Sequence, residues 1–193
     1  MIRITGGIFK GRLLDVPSAA RPSTDRVREA LFSILASRMS FEESSVLDIF
    51  CGSGSLGLEA VSRGAEFAVF VDSDKGSVKA AQTNIDRLEL EGSTVIHSRV
   101  DKFLEHQQGG IKGDKNNRFS LVFADPPYSE LNLVDLMSKL KASSCLADHA
   151  LVVIESALEL DKVRLKGPRE IDNFELLVDR TYGQSRIRLF RSN

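Results

Sequence analysis

Residues 46–60 read VLDIFCGSGSLGLEA: an apolar run of Val46, Leu47, Ile49 and Phe50, then Gly52, Gly54 and Gly57, then the helix formers Leu56, Leu58, Glu59 and Ala60. The run has the character of a buried parallel strand, so the pattern is a strand, a tight turn and the start of a helix. Glycines in such a turn permit positive φ and let a ligand approach backbone that carries no Cβ. The helix N-terminus then presents N–H groups with no intrahelical partner. The spacing Gly52-x-Gly54-x-x-Gly57 fits the dinucleotide fingerprint and fits equally well any doubly wound fold that takes an adenosine-containing cofactor. The ligand is therefore decided elsewhere in the chain.

Outward from this turn the chain alternates between strands and helices. Strands are expected over 67–71, ending at Asp72, and over 94–97, 119–124 and 151–155; helices are expected over 75–88, 101–107 and 131–140. On the N-terminal side, RPSTDRVREALFSILASRM (21–39) has Ser23 or Thr24 as N-cap and places Val27, Ala30, Leu31, Ile34, Leu35 and Met39 on one helical face, with Arg26, Glu29 and Ser33 on the other. The opening residues 1–16 read as two short strands, IRITGG and GRLLDV, joined around Ile8 to Lys10, and 17–23 reads as a linker. GGIKGDKNNR (109–118) is a polar, glycine-rich surface loop. FELLVDRTYGQSRIRLF (174–190) forms two strands around Tyr182, Gly183 and Gln184, with no helix between them. The expected fold is α/β: a doubly wound, mostly parallel sheet with a terminal antiparallel strand. A β-hairpin extension over 1–20 precedes one domain over 21–193. Ligands in such sheets lie beyond the carboxyl ends of the strands, where Gly52, Asp72 and Asp125 all fall.

With 193 residues, 42% hydrophobic, and no apolar run long enough to span a bilayer, the chain is expected to be one soluble unit that does not engage a membrane. MIRITGGIFKGR lacks the apolar segment of a signal peptide, and the two cysteines, Cys51 and Cys145, make no disulfide framework, so a cytoplasmic location is expected. Cys51 has no histidine near it in sequence to act as a base and is read as filler. His97, His106 and His149 show no spacing suited to a metal, and none is expected. The net charge of −1 hides a segregation: residues 1–40 carry +4, residues 162–193 carry +4, and the middle −9. Basic ends around an acidic centre suit a polyanion gripped by the termini while the centre handles a cofactor; ordinary solvated surface is the alternative.

Asp72 closes the second strand 20 residues after Gly52. A carboxylate at that point accepts hydrogen bonds from both hydroxyls of an adenosine ribose, in nicotinamide sites and S-adenosylmethionine sites alike, whereas Asp74 suits the cap of the following helix. The discriminating motif is Asp125-Pro126-Pro127-Tyr128, directly after the strand LVFA. Two prolines fix the backbone and remove two donors, so the Pro126 carbonyl can be held beside the Asp125 carboxylate. The two acceptors match the two hydrogens of an exocyclic amine, and Tyr128 supplies a face for a planar base. A nucleobase amine is a poor nucleophile because its lone pair is delocalised. Aiming that pair at a sulfonium methyl works by positioning and by stabilising the developing charge, without a general base of high pKa.

DPPY (125–128) after the fourth strand, with DIFCGSGSLGLEA (48–60) after the first, resembles the amino-methyltransferases that use S-adenosylmethionine. RPSTDRVREALF (21–32) and RITGGIFKGRLL (3–14) narrow the likeness: they are similar to the RsmD-type methyltransferases, which methylate the N2 amine of one guanine in bacterial 16S ribosomal RNA. The resemblance runs from Arg3 to Phe190. It implies a class I methyltransferase fold with S-adenosylmethionine as cofactor. Asp48, Gly52 and Gly54 would line its methionine and ribose part; Asp72 would hold the ribose, with Ser73 beside the adenine. Asp125, Pro126 and Tyr128 would hold the guanine at the cofactor, with Arg26, Arg28 and Glu29 near the entrance. Where relatives often carry an acid near the adenine this chain has Arg99-Val100-Asp101, so the adenine contact would come from backbone around Val100 or from Asp101.

An RNA target requires a flipped or unpaired guanine. Arg12, Arg26 and Arg28, together with the strands carrying Arg186, Arg188 and Arg191, are expected to hold phosphates around it. The expected partner is 16S rRNA within an assembling or assembled small ribosomal subunit, and the expected state is a monomer. Other readings are a DNA adenine or cytosine amino-methyltransferase, a nicotinamide oxidoreductase, which leaves DPPY unexplained, and an RNA-binding module with a vestigial cofactor site.

Overall fold

In this computed structural model, residues 2–17, 24–107, 118–126, 132–157 and 170–193 are described. In chain order the elements are a short hairpin, Ile2–Arg3 (β1) with Leu13–Leu14 (β2); the helix Asp25–Ala36 (α1); Ser45–Ile49 (β3), Ser55–Ser62 (α2), Phe67–Asp72 (β4), Lys75–Leu88 (α3), Thr94–His97 (β5) and Val100–His106 (α4); Phe119–Ala124 (β6), Leu133–Ala142 (α5) and Leu146–Ala157 (β7); and Glu170–Ile171 (β8), Phe174–Tyr182 (β9) and Ser185–Ser192 (β10). The main sheet has the order β5-β4-β3-β6-β7-β10-β9-β8. From β5 to β7 all neighbours run parallel, as the strand–helix alternation requires. β10 is antiparallel to both β7 and β9, so the reversed strand expected at the end of the chain lies inside the sheet, between those two.

Strand alternation divides the core into two. Val46, Phe70, Phe123 and Val153 face one side, packed on Leu31, Phe32 and Leu35 of α1 and on Leu58 of α2 and Ile85 of α3. Leu47, Val71, Val122 and Val152 face the other, against Phe103 and Leu104 of α4 and Met137 and Leu140 of α5. Phe32 sits between Phe41 and Phe123, its ring centroid 5.7 Å from each. Helix starts follow side-chain chemistry: Thr24 accepts from the Val27 N–H, Asp74 from Ser77 at 2.7 Å and Asn132 from Asp135. Thr24 is thus the N-cap of α1, and Asp74 takes the capping role expected of it.

Some elements differ from the sequence reading. β7 begins at Leu146, five residues earlier than expected, because its pairing with β6 is irregular between Phe119 and Leu121, and His149, at φ 59, interrupts the alternation. The linker residues 18–23 and all of the 109–118 loop but Arg118 lie outside the described residues. Cys51 and Cys145 are both buried free thiols. No helix among the described residues is long and apolar enough to cross a membrane.

The N-terminal hairpin is fastened to α2 and α3. Glu59, fully buried, accepts from the Thr5 N–H at 2.7 Å, the Thr5 hydroxyl at 2.8 Å and Arg63 Nε at 2.8 Å. A carboxylate so far from water is sustained by this full set of donors. Ser62 Oγ donates to the Gly6 carbonyl at 2.6 Å and accepts from the Phe9 N–H at 3.0 Å. Asn84, also fully buried, exchanges bonds with the Asp15 backbone and donates to the Ser53 carbonyl at 2.9 Å, so one side chain joins the hairpin to the glycine turn.

Candidate active site

The glycine turn leaves β3 at Phe50, which is left-handed at φ 57, and continues through Gly52 at φ 55 and Gly54 at φ 77. Its backbone is held by Cys51 N–H to the Val71 carbonyl at 3.2 Å, Gly54 N–H to the Cys51 carbonyl at 2.8 Å, and Gly52 N–H to Asp72 Oδ2 at 2.9 Å. A Cβ at Gly52 would meet nothing within 4 Å, so the turn conformation and open approach account for that glycine. At Gly57 a Cβ would fall 2.5 Å from the Phe70 ring and 3.2 Å from Asp48 Oδ2, so the third glycine permits close packing of α2 on β4 and β3.

Four carboxylates stand at the carboxyl ends of four neighbouring strands: Asp72 on β4, Asp48 on β3, Asp125 after β6 and Glu155 on β7. Alternation puts all four on the α1–α3 side of the sheet, in line with Phe70, Val46, Phe123 and Val153. Asp48 is 2% exposed and accepts from the Gly57 N–H at 2.9 Å. Burial holds its pKa well above the usual carboxylate range against that hydrogen bond, and the Asp125 and Asp72 charges add to the effect. Enclosure, and then the neighbouring Glu155 charge, pushes Asp125 up to about 8. The Cys51 thiol is likewise raised, by burial first and then by Asp48 and Asp72, which suits an inert side chain rather than a nucleophile. Acids crowded in this way are relieved by a cation. Among the described residues no group of three or more His, Cys, Asp or Glu could hold a metal ion.

On the α4–α5 side of the same strand ends lies a cavity of about 330 Å³; none of the four carboxylates lines it, although Ser73 and Pro126, which follow Asp72 and Asp125, do. It is lined by Phe50, Ser73, Val100 and Pro126, with Arg99 and Asp101 at one side and Asn132 and Lys139 of α5 at another. Ser73, Val100 and Pro126 are therefore brought to one space, reached from the same strand ends as Asp48, Gly52, Gly54, Asp72 and Asp125. Asp72 bonds Gly52 through one oxygen and the Asp74 N–H, at 2.9 Å, through the other. Arg99 forks onto Asp101 at 3.1 and 3.0 Å, and this hydrogen-bonded pairing lowers the Asp101 pKa to about 2. Pro127 and Tyr128 lie outside the described residues.

The arginines divide. Arg12, on the hairpin, and Arg26, on α1, are exposed and are not among the residues lining the cavity. Arg28, expected at the entrance surface, is only 1% exposed; its guanidinium donates to the Arg3 carbonyl and to Asp25, each at 2.7 Å. Helical spacing explains this, because Arg28 lies three and seven residues before the buried Leu31 and Leu35. The C-terminal arginines are engaged as well: Arg186 with Asp179 at 2.6 Å, Arg191 with Glu175 at 2.6 Å, and the buried Arg188 3.6 Å from Asp179. Glu155 was not singled out by the sequence, although it ends an apolar strand just as Asp125 does.

A sheet that is parallel from β5 to β7, with a glycine turn after β3, antiparallel β10 set between β7 and β9, and helices on both faces, is the fold of the class I S-adenosylmethionine-dependent methyltransferases. A family profile described as Conserved hypothetical protein 95 matches residues 2–191. The Ribosomal RNA small subunit methyltransferase D of Escherichia coli K12 is 36% identical over 192 residues, covering 98% of this chain and 89% of that protein. The chain belongs to this family. The solved Escherichia coli protein yhhF superposes with a TM-score of 0.81 at 35% identity, covering 100% of this chain and 98% of that one. SMU.776, solved in complex with SAH, shares the fold at 14% identity, with a TM-score of 0.63 over 86% of this chain and 48% of that one.

Proposed function

We propose that the protein transfers a methyl group from S-adenosylmethionine to the exocyclic N2 amine of a guanine in small-subunit ribosomal RNA, in the cytoplasm and as a monomer. The observation that carries this reading is the juxtaposition of Asp125-Pro126 with the glycine turn at the ends of the adjacent strands β6 and β3, in a chain related along its length to an RNA methyltransferase of the small subunit. The residues present fit the cofactor: open space over Gly52, apolar walls from Phe50, Val100 and Pro126, and crowded carboxylates that a cation would relieve. When bound, it supplies a methyl group activated by a positively charged sulfur.

In this reading Asp48 and the turn at Gly52 and Gly54 hold the methionine and ribose part. Asp72 fixes the turn and presents its carboxylate to the ribose, and Ser73 and Val100 flank the adenine. Asp101 is committed to Arg99, which favours Val100 backbone for the adenine contact. Asp125 and the Pro126 carbonyl accept the two amine hydrogens of the base, and Tyr128 stacks on it. Asp125 and the Pro126 carbonyl then offset the positive charge that develops on nitrogen, and water can take the proton that leaves. Arg12 and Arg26 meet phosphates of the RNA, while Arg28 keeps the N-terminus in place. The hairpin over 1–20 serves as an RNA-facing extension of the domain over 21–193.

The test is transfer of labelled methyl to small ribosomal subunits, deproteinised 16S RNA and total DNA, with Asp125→Ala as control. Label that digests to N2-methylguanosine in the RNA and vanishes in the variant is the expected result. Label confined to DNA overturns the RNA assignment, and label in RNA at a different atom overturns the N2 assignment.

A further inference from the structure

An amine cradle of Asp125 and Pro126 does not by itself choose a base, because adenine, cytosine and guanine all carry exocyclic amines. Guanine differs at the adjoining ring nitrogen. Its N1 bears a hydrogen beside the N2 amine, whereas N1 of adenine and N3 of cytosine present lone pairs. A site that reads guanine needs a further acceptor next to the one that receives the amine.

Glu155 stands at that place. β6 and β7 are parallel with Ala124 opposite Ile154, so Asp125 and Glu155 each directly follow one member of that last pair, where neighbouring strands run about 4.8 Å apart. Both point to the α1–α3 side, and Ile187 of β10 backs Glu155 from its other flank. Glu155 is 6% exposed, and its charge is felt at Asp125. The cofactor contacts assigned above do not use this acid.

We propose that Glu155 is a specificity-determining residue that accepts the N1–H of the target guanine while Asp125 and Pro126 take its N2 amine. The inference rests on the guanine-N2 reading above. A carboxylate at this point attracts N1–H and repels the lone pair that adenine or cytosine would bring, so it works by attraction and by exclusion together.

The experiment uses the full-length protein and small subunits reconstituted with 16S RNA that carries either guanine or 2-aminopurine at the mapped target position. 2-Aminopurine keeps the N2 amine but has a bare N1. Wild type is expected to favour guanine by about 100-fold or more in kcat/KM. Glu155→Gln, whose amide can donate to a bare N1, is expected to narrow that preference at least about tenfold, with S-adenosylhomocysteine affinity by calorimetry within about twofold of wild type. Glu155→Asp, which retains the charge, is expected to lose rate on guanine but keep the preference. An equal loss on both bases in Glu155→Gln, or a preference that collapses in Glu155→Asp as well, overturns the proposal. If the wild-type protein methylates no guanine N2 at all, the underlying reading fails and the proposal falls with it.

Discussion

Gly52 and Gly57 are the same residue type for opposite reasons, and substitution separates them. Gly57→Ala puts a methyl group against the Phe70 ring and Asp48, and is expected to cost about 1–3 kcal/mol of stability in urea denaturation. Gly52→Ala meets only its left-handed backbone, costing about 1 kcal/mol, and is expected to weaken S-adenosylhomocysteine binding beyond that figure in calorimetry. Asp125 carries a pH signature. Its folded pKa of about 8 lies above its ordinary 3.8, so the folded protein holds a proton that the unfolded chain releases. Its contribution to stability is therefore lost progressively as pH rises from about 4 to about 8. Asp125→Asn removes that loss and is expected to melt higher than wild type at pH 8, with the difference shrinking towards pH 4. At this scale the left-handed turn at Gly52 and the strand-end position of Asp125 were legible because turn and strand-end geometry is local. Arg28 and Glu155 were not: a charged residue within a helix and an acid after a strand look ordinary until packing and strand register show what lies beside them.

Among the elements, the hairpin and α2 depend on each other through Glu59. Glu59→Ala leaves the Thr5 amide and Arg63 without their buried acceptor and is expected to cost about 3–5 kcal/mol. Hydrogen exchange at the Thr5 amide should accelerate strongly, while the Leu58 amide, inside α2, keeps its protection. The sequence foresaw the hairpin, but not how it is held, since the two Thr5 donors to Glu59 come from 54 residues away. Element bounds were clearest where one period runs between clear stops. The helix over 75–88 and the strand over 94–97 have the expected limits, the former because Asp74 caps it and Glu89 turns left-handed after it. β7 was half read because the polar pair Asp148 and His149 interrupts its hydrophobic pattern, and only pairing with β6 keeps that stretch extended.

For the whole molecule, the two basic ends are not equivalent. At the C-terminus Arg186 and Arg191 are matched by Asp179 and Glu175, whereas Arg12 and Arg26 stand exposed at the N-terminal side. Arg12→Ala and Arg26→Ala are each expected to weaken RNA binding and reduce the slope of log affinity against log salt by about 0.7–1. Arg28→Ala is expected to lower the melting temperature and leave that slope unchanged; measured slopes that fall with Arg28 and not with Arg12 or Arg26 would reverse the assignment. Charge counts alone could not make this distinction, because pairing across β9 and β10 is a long-range event. The same strands bear on how the chain is made. β10, which reaches Ser192, lies between β7 and β9 and pairs with both. During synthesis the helices and the parallel strands can assemble as they emerge, but β7 and β9 each keep an open edge until β10 has been made. The nascent protein is thus exposed to mispairing until residues 185–192 are in place, and a chain lacking that strand has nothing to join the two halves of its sheet.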